Sequence, residues 1–160
     1  MTVSTDHLCG HEFWVRMYSS PVRKQRKLFG NQHMIRFIIP YPKTASGKKQ
    51  WAKEYGLNAY WAGKHWSKRK VDAEYWHLLV RSEMRKQLKD VQMFSLPVEI
   101  EFKWNDRLDL SNHTAMAKMI EDALRGSVIQ DDSRRYVKRI THAFHNEPYI
   151  EVSIRELRES

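Results

Sequence analysis

The stretch "LPVEIEFKW", residues 96–104, constrains the fold most, because Val98, Ile100, Phe102 and Trp104 alternate with polar partners. A period of two puts all four on one side of a strand, so the chain must build a sheet with one face in a core. Further on the period changes. Met116, Met119, Ile120, Ala123 and Leu124 recur at helical spacing, and Gly126 stops the helix they define. Ser111 or Asn112 stands where a cap for it is expected. Alternation returns at Tyr136, Lys138, Ile140, His142 and Phe144, and "PYIEVSIRE" (148–156) follows a turn at Asn146, Glu147 and Pro148. Upstream, "IRFIIPYP" after Met34 reads as a strand that ends at its prolines. A helical pattern runs from Ser67, as N-cap, to about Leu88, with Val71, Tyr75, Leu78, Leu79 and Leu88 as its buried side. The order strand, long loop, helix, strand, helix, strand, strand describes an α/β (α+β) domain: a small mixed β-sheet with two main helices.

The long loop is "KTASGKKQWAKEYGLNAYWAGKHWSKRK", residues 43–70, and a loop of that length is expected to be functional or mobile. Residues 1–33 stand apart, with a poor apolar pattern and a basic cluster, "RKQRK". They are expected to be a poorly ordered basic N-terminal extension that can be deleted without loss of stability or activity. The folded domain is then 34–160. No apolar run approaches the ~18 residues of a membrane span, and no secretory signal is evident. The single cysteine, Cys9, excludes an internal disulfide framework and a four-cysteine zinc site. A cytoplasmic protein with no membrane partner is expected.

Charge narrows the partner. The chain has 28 Lys and Arg against 19 Asp and Glu, a net +9, which favours a polyanion, with nucleic acid first. Within it, "RLDLSNHTAMAKMIEDALRGSVIQDDS" (107–133) concentrates acids. Asp109 sits at a strand-to-helix junction, and Asp131 and Asp132 sit at the next helix-to-strand junction. If the two junctions meet, the carboxylates repel one another unless a cation neutralises them. Mg²⁺ takes oxygen ligands and leaves positions for water and phosphate, which suits phosphodiester hydrolysis. The alternative is a polar turn and a helix-start charge. Lys118, one turn before Asp122, either pairs with it or leans toward a bound phosphate.

A second signal lies in the 43–70 segment. Asn58, Tyr60, Trp61, Lys64, His65, Trp66, Lys68 and Arg69 interleave donors, rings and cations. Cations neutralise phosphates, and rings stack on unpaired bases or wedge into a distorted step. The bland alternative is that the tryptophans anchor the loop on the core, and one of Trp61 and Trp66 is expected to. The histidines lack paired ligand spacing, which argues against zinc.

Taken in order, "PYP…GLNAYWAGKHWSKRK", "DLSN", "K…EDAL" and "VIQDDS" resemble the RusA-like Holliday junction resolvases over about residues 34–155. These are small homodimeric, magnesium-dependent endonucleases, often encoded by prophages. The resemblance implies a crossover junction endodeoxyribonuclease of DNA recombination and repair, using Mg²⁺, with Mn²⁺ as a substitute and no small-molecule cofactor. Its partner would be branched DNA, and it would act as a homodimer. By position, Asp109, Lys118 and Asp132 would be catalytic, and Asp109, Asp131 and Asp132 would hold metal. Asn112 and Asp122 match the family's asparagine and helix aspartate. The segment with Asn58, Tyr60, Trp61, Lys64, His65, Lys68 and Arg69 would contact DNA. Two departures stand out: Ser111 replaces the second aspartate of the family's turn, and the lysine follows Asp109 by nine residues where six is usual. Asp106 is a candidate to replace the missing carboxylate. A branched-DNA-binding protein with weak or no cleavage is the competing expectation.

Overall fold

The computed structural model describes residues 33–157, which lie in the compact unit Gln32–Ser160. The expectation for the extension at 1–33 falls, except for His33, outside the described residues. Four strands, β1 (Met34–Pro40), β2 (Val98–Trp104), β3 (Val137–Phe144) and β4 (Tyr149–Glu156), form one mixed sheet in the order β1-β4-β2-β3. β4 runs antiparallel to both β1 and β2, while β2 and β3 are parallel. The parallel pair requires a crossover, and helix α4 (Thr114–Leu124) supplies it. The mixed α/β class read from the sequence is the class observed.

The alternating residues face as their period requires. Phe37 and Ile39, Val98 to Trp104 by twos, and Ile150, Val152 and Ile154 all enter one core. Helices α3 (Trp66–Gln87) and α4 pack together over that face. Burying each large apolar side chain there contributes about 1.5–3 kcal/mol.

Three expectations need correction. Residues 43–70 are not a loop: they hold α1 (Ala45–Tyr55), α2 (Leu57–Trp61) and the start of α3. Thr44 caps α1, its hydroxyl accepting from the Gly47 N–H at 3.0 Å. Only Trp51 and Ala52 of α1 are buried, too few to give a periodic stripe in the sequence. Between α1 and α2 the chain comes so close to itself that a Cβ on Gly56 would lie 2.8 Å from the Ala52 carbonyl oxygen.

Secondly, α3 buries Asp72, Trp76, Val80 and Met84, leaving Val71, Tyr75 and Leu78 exposed. Leu79 and Leu88 of the expected stripe do pack against the core, but Val71, Tyr75 and Leu78 do not, because the core-facing stripe starts with an aspartate and continues with Trp76, which joins Trp51 and Tyr55 in an aromatic cluster. The cap of α3 is His65, whose Nδ1 accepts from the Ser67 N–H, rather than Ser67 itself. Thirdly, neither Ser111 nor Asn112 caps α4. A turn of 3-10 helix, Leu110–His113, leads into it instead. At the other end Gly126 takes φ +76°, the left-handed conformation that glycine adopts freely.

Candidate functional site

Lys118 is the centre of an acidic cluster on α4. Its Nζ donates to Asp122 Oδ1 at 2.8 Å and to Asp132 Oδ2, and lies 3.8 Å from Glu121 Oε2. Helical spacing explains Asp122 and Glu121, which follow by four and three residues. Asp132 arrives because the chain turns back at Gly126 and returns along the helix. Arg125 Nη1 stands 3.8 Å from Asp132 on its other side.

These contacts set the charges. Asp132 is pulled down to about 2, first by the hydrogen bond from Lys118. Lys118 is partly desolvated, which works against its charge, yet its bonds to Asp122 and Asp132 outweigh this and hold its pKa above the ordinary lysine range. Burial pushes the Glu121 carboxyl up despite the attraction of Lys118, and the neighbouring Asp132 and Asp122 add to the rise. Three carboxylates here face one lysine and one more distant arginine, leaving a local negative excess.

The remaining sequence candidates fall elsewhere. Asp109 is exposed at the head of the 3-10 turn, with no capping bond from its side chain. The contacts bring Asp132, Asp122 and Lys118 together but do not join Asp109 to them. Asp131 directly precedes Asp132 in the chain. Asp106, the proposed substitute for Ser111, is committed to structure. It accepts from Tyr41 Oη at 3.0 Å, from the Leu108 N–H at 2.8 Å and from His113 Nε2 at 2.9 Å. Burial opposes its charge, but these donors win and hold its pKa below the ordinary value.

The donor chemistry suits a hard cation, since the cluster offers only carboxylate oxygens and carries excess negative charge. Its arrangement does not: among the described residues no three His, Cys, Asp or Glu side chains are grouped to hold a metal ion. The Lys118 ammonium stands between Asp122 and Asp132 in the position of a counter-ion.

The aromatic–basic segment divides into inward and outward residues. Tyr60 Oη donates to Asp72 Oδ2 at 2.9 Å, and Lys64 pairs with the same carboxylate while donating to the Glu54 carbonyl at 3.0 Å. Lys64 is therefore a buried clamp rather than a free cation. Arg69 is exposed, although its Nε donates to the Lys64 carbonyl at 2.7 Å. Asn58, His65 and Lys68 are exposed. Neither Trp61 nor Trp66 anchors on the core, contrary to expectation: they are 79% and 71% exposed, because Trp51 and Trp76 take the core positions. The inward side of the same segment packs on α4, where Tyr60 Oη approaches the sulfur of the buried Met119 at 3.5 Å.

Sequence reasoning missed Glu121, Arg125 and Asp72. Glu121 was legible at i+3 from Lys118, but Asp72 was not, being an acid in a core stripe. The fold and site define a mixed α/β domain with helices on one face of a four-stranded sheet, an acid–lysine cluster on α4 and an exposed aromatic–basic turn on the segment that packs against that helix. The chain matches no family model and no curated protein. No described helix is long and apolar enough to cross a membrane.

Proposed function

We propose that the chain is a magnesium-dependent, structure-specific endonuclease that resolves four-way DNA junctions as a homodimer in the cytoplasm. The observation that carries this reading is that the segment bearing the exposed Trp61–Trp66 turn packs on α4, the helix that also carries the Lys118–Asp122–Asp132 cluster. Exposed rings beside Lys68, Arg69 and Lys70 suit unpaired or unstacked bases next to phosphates, as at the centre of a junction. Lys118 would neutralise charge on the phosphoryl oxygens. Asp132, with Asp131 and Asp122, would hold the metal. Bound there, Mg²⁺ would supply an activated water and stabilise the leaving oxygen. Two symmetric cuts need two sites, which a two-fold dimer provides.

The test is cleavage of a synthetic four-way junction, a duplex and a single strand in Mg²⁺ or Mn²⁺. The parent is expected to cut the junction alone, and Asp132→Asn to leave it intact. Equal cutting by the variant refutes the site. A second reading, branched-DNA binding without cleavage, draws on the Lys118 ammonium already neutralising the acids and on Ser111 in place of a carboxylate. Tight, salt-dependent junction binding with no product in either metal would favour it, and cleavage gained by Ser111→Asp would trace the loss to that serine.

A further inference from the structure

The sheet has a second face, and its side chains form a grid fixed by strand register. One row reads Ile38, Glu151, Lys103, Ala143 across β1, β4, β2 and β3. The next reads Arg36, Ser153, Glu101, Thr141, and the third Met34, Arg155, Glu99, Arg139. Ion pairs confirm the common face: Lys103 Nζ to Glu151 at 3.0 Å, Arg155 to Glu99 at 2.9 Å and Arg139 to Glu99 at 3.6 Å. A shallow cavity of about 200 Å³ opens there, lined by Met34, Arg36, Glu99, Glu101, Ser153 and Arg155. Within it the buried Ser153 hydroxyl has no hydrogen-bond partner among the described residues.

We propose that this face binds a second copy of the chain about a two-fold axis parallel to the strands, between β4 and β2. The arrangement follows from the rows. Such an axis keeps each row and exchanges β4 with β2 and β1 with β3. Glu151 then faces the partner's Lys103, and Arg155 faces the partner's Glu99. Ser153 faces the partner's Glu101, a half-exposed acceptor for the orphan hydroxyl. Ile38 faces the partner's Ala143. Opposite charges meet in every charged pair of the central strands. An axis across the strands would instead set Arg36 against itself and Glu101 against itself. Two sheets meet face to face with strands roughly aligned in this way in β-sandwiches. The proposal deepens the homodimer in the reading above, but its test needs neither DNA nor metal, so either can fail alone.

The full chain is measured by sedimentation velocity across micromolar concentrations and two salt levels. A dimer is expected, weaker at high salt because exposed charges are screened. Lys103→Glu and Glu151→Lys are each expected to weaken dimerisation at least about tenfold through like-charge contact. Mixed one to one, the two variants are expected to form a heterodimer, because position 151 of each then opposes the other sign at position 103. Pairing within one chain cannot produce that rescue. Ala143→Glu, able to pair with Lys103 in its own sheet yet facing the partner's Ile38, is expected to dissociate the dimer and carries the test if a charge reversal fails to fold. A monomeric parent, folded variants that dimerise as well as it does, or a mixture that stays monomeric overturns the proposal.

Discussion

Asp72→Ala is expected to cost a large share of the stability of the domain. Asp72 is 4% exposed and sits on the stripe of α3 that faces the core. Its carboxylate accepts from Tyr60 Oη and pairs with Lys64, whose side chain is only 13% exposed. Truncation leaves the Lys64 ammonium with the Glu54 carbonyl and the faces of Tyr55 and Tyr60 but no anion, and leaves the Tyr60 hydroxyl with a sulfur at 3.5 Å. Removing one member of a buried pair costs about 3–5 kcal/mol, because the other charge stays desolvated and uncompensated. Against a typical domain stability of about 5–15 kcal/mol, that is a third or more in most cases. Urea unfolding followed by circular dichroism measures it, with the slope expected to hold while the midpoint falls. The double variant Asp72→Leu with Lys64→Met removes both charges and is expected to recover most of the loss. If Asp72→Ala costs less than about 1 kcal/mol, the size of an exposed pair, the clamp does not exist as described and Lys64 returns to the list of DNA contacts.

Other outcomes follow from the same contacts. Trp61→Ala and Trp66→Ala are expected to leave the melting temperature unchanged and to weaken junction binding by about 1–3 kcal/mol per stacked base, read by fluorescence anisotropy. Lys68→Gln should lower the slope of binding against salt by about one, whereas Lys64→Met should act on stability instead. Lys118→Met is expected to raise the Asp132 pKa from about 2 toward the ordinary 3.8, measured by carboxyl carbon NMR. The folded-state pKa of Asp106 is depressed, so its stabilisation is present above the ordinary 3.8 and lost as pH falls through the folded value. Acid unfolding of Asp106→Asn should therefore show a shallower pH dependence than the parent.

The strands were legible because their alternation survives in a half-buried sheet. Val98 to Trp104 and Ile150 to Ile154 send every second residue, the apolar ones, into the hydrophobic core. α4 was legible for the matching reason, since Met116, Met119, Ile120, Ala123 and Leu124 are all buried. α3 was legible as a helix but not in its buried face, and α1 was not legible because it buries only Trp51 and Ala52. Asp72 occupies a core position through Lys64 and Tyr60, so the true stripe of α3 reads as broken. Val71, Tyr75 and Leu78 read as continuous although they face outward. Periodicity reports which faces are apolar, and α3 has two such faces, one of them interrupted by a charge whose partner comes from a different turn of the chain.

At the site the limit was distance along the chain. Lys118 and Asp122 share a helix face, so spacing alone brings them together, and Glu121 belongs to the same arithmetic. That Asp132 reaches Lys118 depends on the reversal at Gly126, whose positive φ turns the chain back toward the start of α4. The acids of this basic chain therefore separate by the cation or donor each one meets. Asp72 is neutralised by Lys64, Asp106 is satisfied by Tyr41, Leu108 and His113, and Glu99 is bracketed by Arg139 and Arg155. Among the ion-pair clusters of the described residues, the one around Lys118 has more acids than cations, three to two even when Arg125 is counted. An added divalent cation has most to gain there. Titration with Mg²⁺ at low salt, followed by carboxyl NMR, should shift Asp132, Asp122 and Glu121 before Asp72, Asp106 or Glu99. Shifts that begin at Asp72 or Asp106 would mean that the surplus charge of the cluster does not determine where the ion binds.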